Sequence, residues 1–189
     1  MPSPTAEQAL EKLKQGNERF RTGCAVNLVN VSPPTAELIE QQQPFAAILS
    51  CSDSRVPVEI IFDTGLGDLF VIRVAGNVAT RVSIASIEYA VTYLGTKLIV
   101  VMAHQNCGAV TAAIQGGDTS QSLSHLLGHI QPAVDPSEGS VEIVARRSAR
   151  LSAERLTCES TIIRQAIENA GVKIVTAFFH FASGEVEFF

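Results

Sequence analysis

The chain is short of the features that would place it in a membrane, on a polyanion or outside the cell. None of its 189 residues belongs to an apolar run approaching the roughly 20 residues of a membrane span. Met1 to Phe20 is mixed and polar, without the apolar core of a secretory signal, so a soluble, unexported protein is expected. Positive charge is scarce: 14 Lys and Arg stand against 19 Asp and Glu, a formal net charge of −5, which argues against nucleic acid or an anionic membrane as partner. Cysteine is scarce too. Two of Cys24, Cys51, Cys107 and Cys158 fall in the motifs described below, which points to Cys24 and Cys158 as free thiols and to a reducing, cytoplasmic setting. No internal repeat, low-complexity tract or interdomain linker interrupts the chain. What is abundant is apolar: 46% hydrophobic residues against 17% charged describe a packed core. At this length the expectation is one domain over 1–189, with 1–44 as an amino-terminal helical arm.

Apolar periodicity alternates between helix and strand. Ala6, Leu10, Leu13 and Phe20 recur at helical spacing from Thr5 to Arg21, and Thr5 with Gln8 three residues on reads as a capping box. Pro33-Pro34 opens a short helical turn that a Gln-rich stretch and Pro44 close, and Phe45 to Leu49 is the brief apolar run of a buried strand. A helix from Pro57 through Phe62, a strand from Leu69 to Val74, a loop at Ala75-Gly76-Asn77 and a helix from Ile84 to Leu94 stopped by Gly95 follow. Lys97 to Met102 is the third strand, with His104 just past it and a helix opening at Cys107. After Gly116-Gly117 the pattern is more polar and mostly helical, from Leu123 to Ile130 and from about Val141 to Ala170. Val172 to Phe178 is a fourth strand, and Ala182-Ser183-Gly184-Glu185 turns into an antiparallel edge from Val186 to Phe189. The alternation predicts an α/β fold with a mainly parallel sheet, order 2-1-3-4 with strand 5 antiparallel at the edge, flanked by helices.

If the first and third strands are neighbours, the strand order reverses between them, and their carboxyl ends flank the crevice where sheets of this class bind ligands. Two short segments stand there: Cys51-Ser52-Asp53-Ser54-Arg55 and His104-Gln105-Asn106-Cys107-Gly108. Two thiolates and an imidazole are a ligand set that Zn²⁺ prefers, and three protein ligands leave a fourth position open, as a catalytic site requires. The start of a helix at Cys107 favours its thiolate. A guanidinium fork can hold a carboxylate by two parallel bonds, which gives the Asp53–Arg55 spacing a chemical reason. Each residue alone has a plainer reading: a buried small thiol, a core histidine, a surface ion pair. Jointly, at the ends of adjacent strands, they point to a site. His125, His129 and His180 read as surface or structural.

These residues resemble the β-class carbonic anhydrases, as do Gly16-Asn17-Glu18-Arg19-Phe20, the stretch from Gly65 through Arg73-Val74-Ala75-Gly76-Asn77, Ser86 to Ala90, and Ala182 to Phe188. The resemblance covers nearly the whole chain and is loosest from Ser120 to Thr157. It implies Zn²⁺ held by Cys51, His104 and Cys107, and the reversible hydration of CO₂ to bicarbonate by zinc-bound hydroxide assisted by the Asp53–Arg55 pair. In a closed form Asp53 becomes the fourth ligand. It further implies that Gln42 binds a substrate oxygen, that Phe70, Ala75 and Tyr89 line an apolar CO₂ pocket, and that each pocket is built across a homodimer, or a homotetramer of dimers, with the amino-terminal helix crossing onto its neighbour. This chain departs from the family in having Phe179-His180 where many relatives carry Tyr-Asp, and Ile48 where a regulated subgroup has tryptophan. Both departures favour the open form. The alternatives are a carbonyl sulfide or carbon disulfide hydrolase on the same site, and a non-catalytic zinc-binding structural protein, which would not require Asp53 and Arg55 together.

Overall fold

A computed structural model describes residues 3–27, 33–137 and 139–189. Its elements are α1 (Ala6–Arg21), α2 (Ala36–Glu40), β1 (Ala46–Ser50), α3 (Val58–Ile61), β2 (Leu69–Arg73), α4 (Arg81–Tyr93), β3 (Leu98–His104), α5 (Gly108–Gln115), α6 (Gln121–Gly128), α7 (Val141–Glu159), α8 (Thr161–Ala170), β4 (Lys173–Phe179) and β5 (Val186–Phe188), with single 3₁₀ turns at Ala75–Asn77 and Gln131–Ala133. The sheet runs β2-β1-β3-β4-β5, parallel except for the antiparallel β5, as the sequence predicts. β1 and β3 occupy its centre and every one of their residues is buried, which is why both read as unbroken apolar runs rather than as alternating ones.

Side chains alternate between two cores. On one face, Ala47, Leu49, Ile99 and Val101 pack with Ile84 and Ile87 of α4, Val110 of α5, Val144, Ala149 and Leu156 of α7, and Ile163 of α8. On the other, Ile48, Val100 and Met102 meet Ala9 and Leu13 of α1 and Ile61 beside Phe62. The predicted capping box is present: the Thr5 hydroxyl accepts from the Gln8 N–H, and the Gln8 side chain accepts from the Thr5 N–H.

Helix α1 docks on its own chain. The Asn17 amide donates to the carbonyls of Ile61 (3.2 Å) and Gly184 (2.9 Å) and accepts from the Val186 N–H (2.9 Å), joining three distant segments. Gly16 permits the approach, since a Cβ there would lie 1.8 Å from the Phe62 carbonyl oxygen. The apolar stripe of α1 thus packs on the sheet of its own chain.

Two boundaries also differ from the sequence expectation. The apolar pattern from Val141 to Ala170 is two helices, because Ser160 leaves helical geometry, caps α8 by accepting from the Ile163 N–H, and donates its hydroxyl to Glu88 of α4 at 2.6 Å. His104 is the last residue of β3 rather than a residue beyond it, held in the ladder opposite Phe179.

Candidate metal centre

The central register places the site. Ser50 of β1 pairs with Met102 of β3, so Cys51 leaves β1 one step before His104 ends β3. The chain then turns back at Asn106, whose φ of 52° is the left-handed conformation that asparagine tolerates, and Cys107 becomes the residue preceding α5. Cys107 makes no side-chain cap bond, so its sulfur is free to face Cys51 at an Sγ–Sγ distance of 4.0 Å. The ligand atoms of Cys51, His104 and Cys107 all lie within 4.8 Å of one another, and all three residues are buried. Among the described residues this is the group of three that can hold a metal ion.

The imidazole is preset for the purpose. His104 Nδ1 lies 2.9 Å from the Gln105 carbonyl oxygen. A carbonyl can only accept, so Nδ1 carries the proton and Nε2 presents a lone pair. That Nε2 is buried without a hydrogen-bond partner. An orphaned acceptor facing two thiols, with its other nitrogen anchored to a carbonyl, is the arrangement of a metal-ligating histidine, and the residues fit a soft, tetrahedral divalent ion.

Within the thiol pair one proton is retained, because two buried anions so close repel. Cys51 is pushed down, first by the hydrogen bond shared with Cys107 and then, against burial, by the N–H groups of Gly76 and Asp53. Cys107 is pushed up by that same bond and by burial, against the N–H groups of Val110 and Ala109. The start of α5 thus helps the Cys107 thiolate, as the sequence suggests, while the pair as a whole keeps one proton.

Asp53 sits in a tight turn. Its Oδ1 accepts from the Arg55 N–H (2.9 Å) and Nε (2.9 Å), and its Oδ2 accepts from Arg55 Nη2 (2.7 Å). The Arg55 fork holds the Asp53 carboxyl well below the usual carboxylate range, with smaller help from the Arg55 N–H, against burial. The predicted pairing is present.

Residues not singled out from the sequence complete the shell. Arg73, at the end of β2, donates to the carbonyls of Cys51 (3.1 Å) and Asp53 (2.5 Å), fixing the backbone of the turn. Gly76 donates its N–H to Cys51 Sγ at 3.3 Å from a backbone with φ of 69°, and a Cβ there would lie 2.7 Å from Ile130 Cδ1. A positive-φ glycine in the Ala75-Gly76-Asn77 loop after a strand was the available signal. Phe181 lies against both Arg55 and His104.

The predicted pocket residues fall in separate places, except for one touching pair. Ala75 adjoins Gly76 and so borders the site. Phe70 of β2 and Tyr89 of α4 touch, ring centroids 6.1 Å apart, and Tyr93 extends the aromatic strip at 5.2 Å. Gln42 is exposed and precedes β1, whereas Cys51 follows it. The five strand residues between them span about 17 Å, so one chain does not bring Gln42 to its own site. Elsewhere, His129 meets Arg155 and His180 pairs with Glu187. Cys24 and Cys158 are exposed free thiols.

A family model described as carbonic anhydrase matches residues 46–186. A carbonic anhydrase of Mycolicibacterium smegmatis is 38% identical over 99% of this chain and 95% of its own length. Carbonic anhydrase 2 of Mycobacterium tuberculosis is 49% identical over 60% of this chain and 55% of its own. Among solved structures, a tetrameric β-carbonic anhydrase of Sordaria macrospora superposes with a TM-score of 0.73 at 27% identity, over 80% of this chain and 83% of that one. One from Aspergillus fumigatus gives 0.72 at 26%, over 97% and 89%. With the sheet order, the Cys-His-Cys group and a family match over three-quarters of the sequence in agreement, this chain belongs to the β-class carbonic anhydrases.

Proposed function

We propose that the chain catalyses the reversible hydration of CO₂ to bicarbonate and a proton, at a Zn²⁺ held by Cys51, His104 and Cys107 with Asp53 and Arg55 beside it. The observation that carries the reading is the unpartnered, lone-pair-bearing Nε2 of His104 facing two thiols next to an arginine-clasped carboxylate. A purely structural metal site needs the first half of that arrangement and not the second. Zinc, when bound, supplies Lewis acidity that brings the pKa of a coordinated water down toward the working range.

The protein's own part follows from the lone pairs. Each carboxylate oxygen accepts about two hydrogen bonds. Asp53 Oδ1 already takes two, from the Arg55 N–H and Nε, while Oδ2 takes one, from Nη2. Oδ2 therefore keeps one place for an incoming O–H donor. Because Arg55 keeps Asp53 ionised, the carboxylate can only accept; it orients the nucleophilic oxygen by its proton and turns a lone pair away from itself toward CO₂. Arg73 braces the turn, so that the acceptor is preset and not assembled during reaction.

Gln42 supports a multimeric form of the same reading. It reaches a metal centre only by belonging to another copy, and the edge strand β2 offers partly exposed Leu69 to Ile72 beside exposed Tyr89 and Tyr93 for such an association. We place Phe70, Ala75 and Tyr89 on the apolar side of the pocket in a homodimer or homotetramer. Two ligand thiols suit a reducing cytoplasm. Among the described residues no helix is long and apolar enough to cross a membrane. The relatives compared above are carbonic anhydrases, and neither a sulfide-substrate hydrolase nor a structural zinc protein gains support from them.

Stopped-flow CO₂ hydration by the zinc-loaded protein, with carbonyl sulfide as a parallel substrate, tests the proposal. CO₂ turnover well above buffer is expected; none with full zinc occupancy overturns it.

A further inference from the structure

The turn after β4 ends up over the metal centre because β3 and β4 pair as far as His104 opposite Phe179. Two bonds lock it there: the Gln105 N–H donates to the Phe179 carbonyl (3.0 Å), and the Phe181 N–H donates to the Gln105 side-chain oxygen (3.1 Å). Phe179, itself buried, packs edge-on to Phe181 with ring centroids 5.5 Å apart. The Phe181 ring is thereby fixed with its centroid 4.4 Å from Arg55 Cζ and 5.5 Å from the His104 ring.

We propose that Phe181 is a positioning residue whose ring face holds the Arg55 guanidinium in the orientation that clasps Asp53, and so sets how often Asp53 is released toward the metal's fourth position. The inference rests on the reading of Asp53 and Arg55 given above. An arginine whose side chain is 54% exposed does not hold a carboxylate firmly by charge alone, since water competes for it and its rotamers are costly to fix. Its hydrogen bond to the Asn106 carbonyl is long, at 3.4 Å. A rigid ring against the guanidinium plane removes most alternative rotamers before the fork meets the carboxylate, and adds the attraction of a cation for the ring's negative face. Losing that attraction raises the ratio of released to clasped Asp53 about 2- to 30-fold.

The test uses zinc-loaded wild type, Phe181→Leu, Phe181→Tyr and Arg55→Ala, with zinc X-ray absorption read alongside CO₂ hydration. In Phe181→Leu we expect zinc retained, an added oxygen scatterer in part of the molecules, and kcat reduced in proportion to that part with KM little changed. Phe181→Tyr keeps the ring face and restores both. A Phe181→Leu spectrum and kcat equal to wild type overturns the proposal, and so does a Tyr variant as impaired as Leu. Arg55→Ala separates the two levels. If it is closed while Phe181→Leu is open, Phe181 alone loses its role; if Arg55→Ala is also open and fully active, the underlying reading of Asp53 and Arg55 falls. Should the Leu variant not fold, mono- to trifluorinated phenylalanine at 181 weakens the ring face at nearly constant shape: a stepwise rise in the closed fraction supports the role, and a flat series overturns it.

Discussion

Two of the Asp–Arg pairs on this scaffold differ in a way that separates an ion pair built to stay from one built to let go. Asp63 and Arg19 come from elements 44 residues apart, and the Asp63 side chain is 0% exposed. Its oxygens accept from Arg19 Nε at 2.5 Å and from the N–H groups of Val26 and Asn27, so removing any one donor leaves others in place. The Asp53 side chain is 16% exposed, and all three hydrogen bonds to its carboxylate come from Arg55, two residues away. A carboxylate with several independent donors is a rivet between α1 and the end of α3. A carboxylate that depends on one arginine, beside a Cys-His-Cys group that can hold a metal ion, can change partner.

The largest effect that sharpens this contrast lies next to the second pair. Cys107→Ala or His104→Ala should release the metal and leave no turnover above buffer, because two remaining ligands do not hold a catalytic ion. Elemental analysis checks it, and full occupancy in either variant removes that residue from the ligand set. Next in size is Asp53→Asn, which keeps shape but loses the charge. Zinc should stay, the melting temperature should hardly move, and turnover should fall by about 10²- to 10⁴-fold, the range for a positioned acid–base group. Near-normal CO₂ hydration across neutral to alkaline pH would dissolve the distinction between the two pairs.

Asp63→Asn should behave in the opposite way, with activity per folded molecule preserved and stability lowered by about 3 kcal/mol, the low end for breaking a buried pair because Arg19 keeps contact with solvent. Urea titration of both variants reads this directly. Acid should expose the same cause. Burial pushes the Asp63 carboxyl up, but the bonds from Arg19, Asn27 and Val26 outweigh that and hold it below its ordinary value. A depressed folded-state pKa stabilises above the unfolded value of about 3.9 and loses its contribution as pH falls through the folded value. The stability gap between wild type and Asp63→Asn should accordingly be full at pH 6 and narrow below about pH 4; a gap that is constant with pH would mean that charge is not what holds α1 to α3.

The sequence makes one of these pairs legible and not the other. Asp53 and Arg55 lie in one turn, so local spacing suffices, and Cys51, His104 and Cys107 are legible because strands 1 and 3 are the most continuous apolar runs and their ends define the crevice. Arg19 and Asp63 are joined only by tertiary packing, which periodicity does not encode. The same limit hides Phe181, placed over Arg55 by the β3–β4 register, and Gly76, whose N–H reaches Cys51 through a left-handed turn. Ser160 breaks what periodicity reads as one helix, because its hydroxyl serves both α8 and Glu88. Gln42 is a different case: its implied role belongs to an assembly, and one chain places it at the far end of β1.

The smallest expected effect bears on that assembly. Glu18 and Arg21 form an i, i+3 pair on the outer face of α1, with both side chains open to solvent at 56% and 42%. Arg21 is raised from its ordinary value by the Glu18 hydrogen bond, yet an exposed pair of this kind is screened by water and costs side-chain entropy to hold. Glu18→Ala should therefore shift the melting temperature by no more than about 2 °C, and sedimentation should show the same oligomer as wild type. The outcome is informative because α1 spends its apolar stripe on its own sheet and leaves this polar face free. A shift of many degrees together with dissociation would mean that a second copy covers this face, and would give the amino-terminal helix a part in assembly through its polar face.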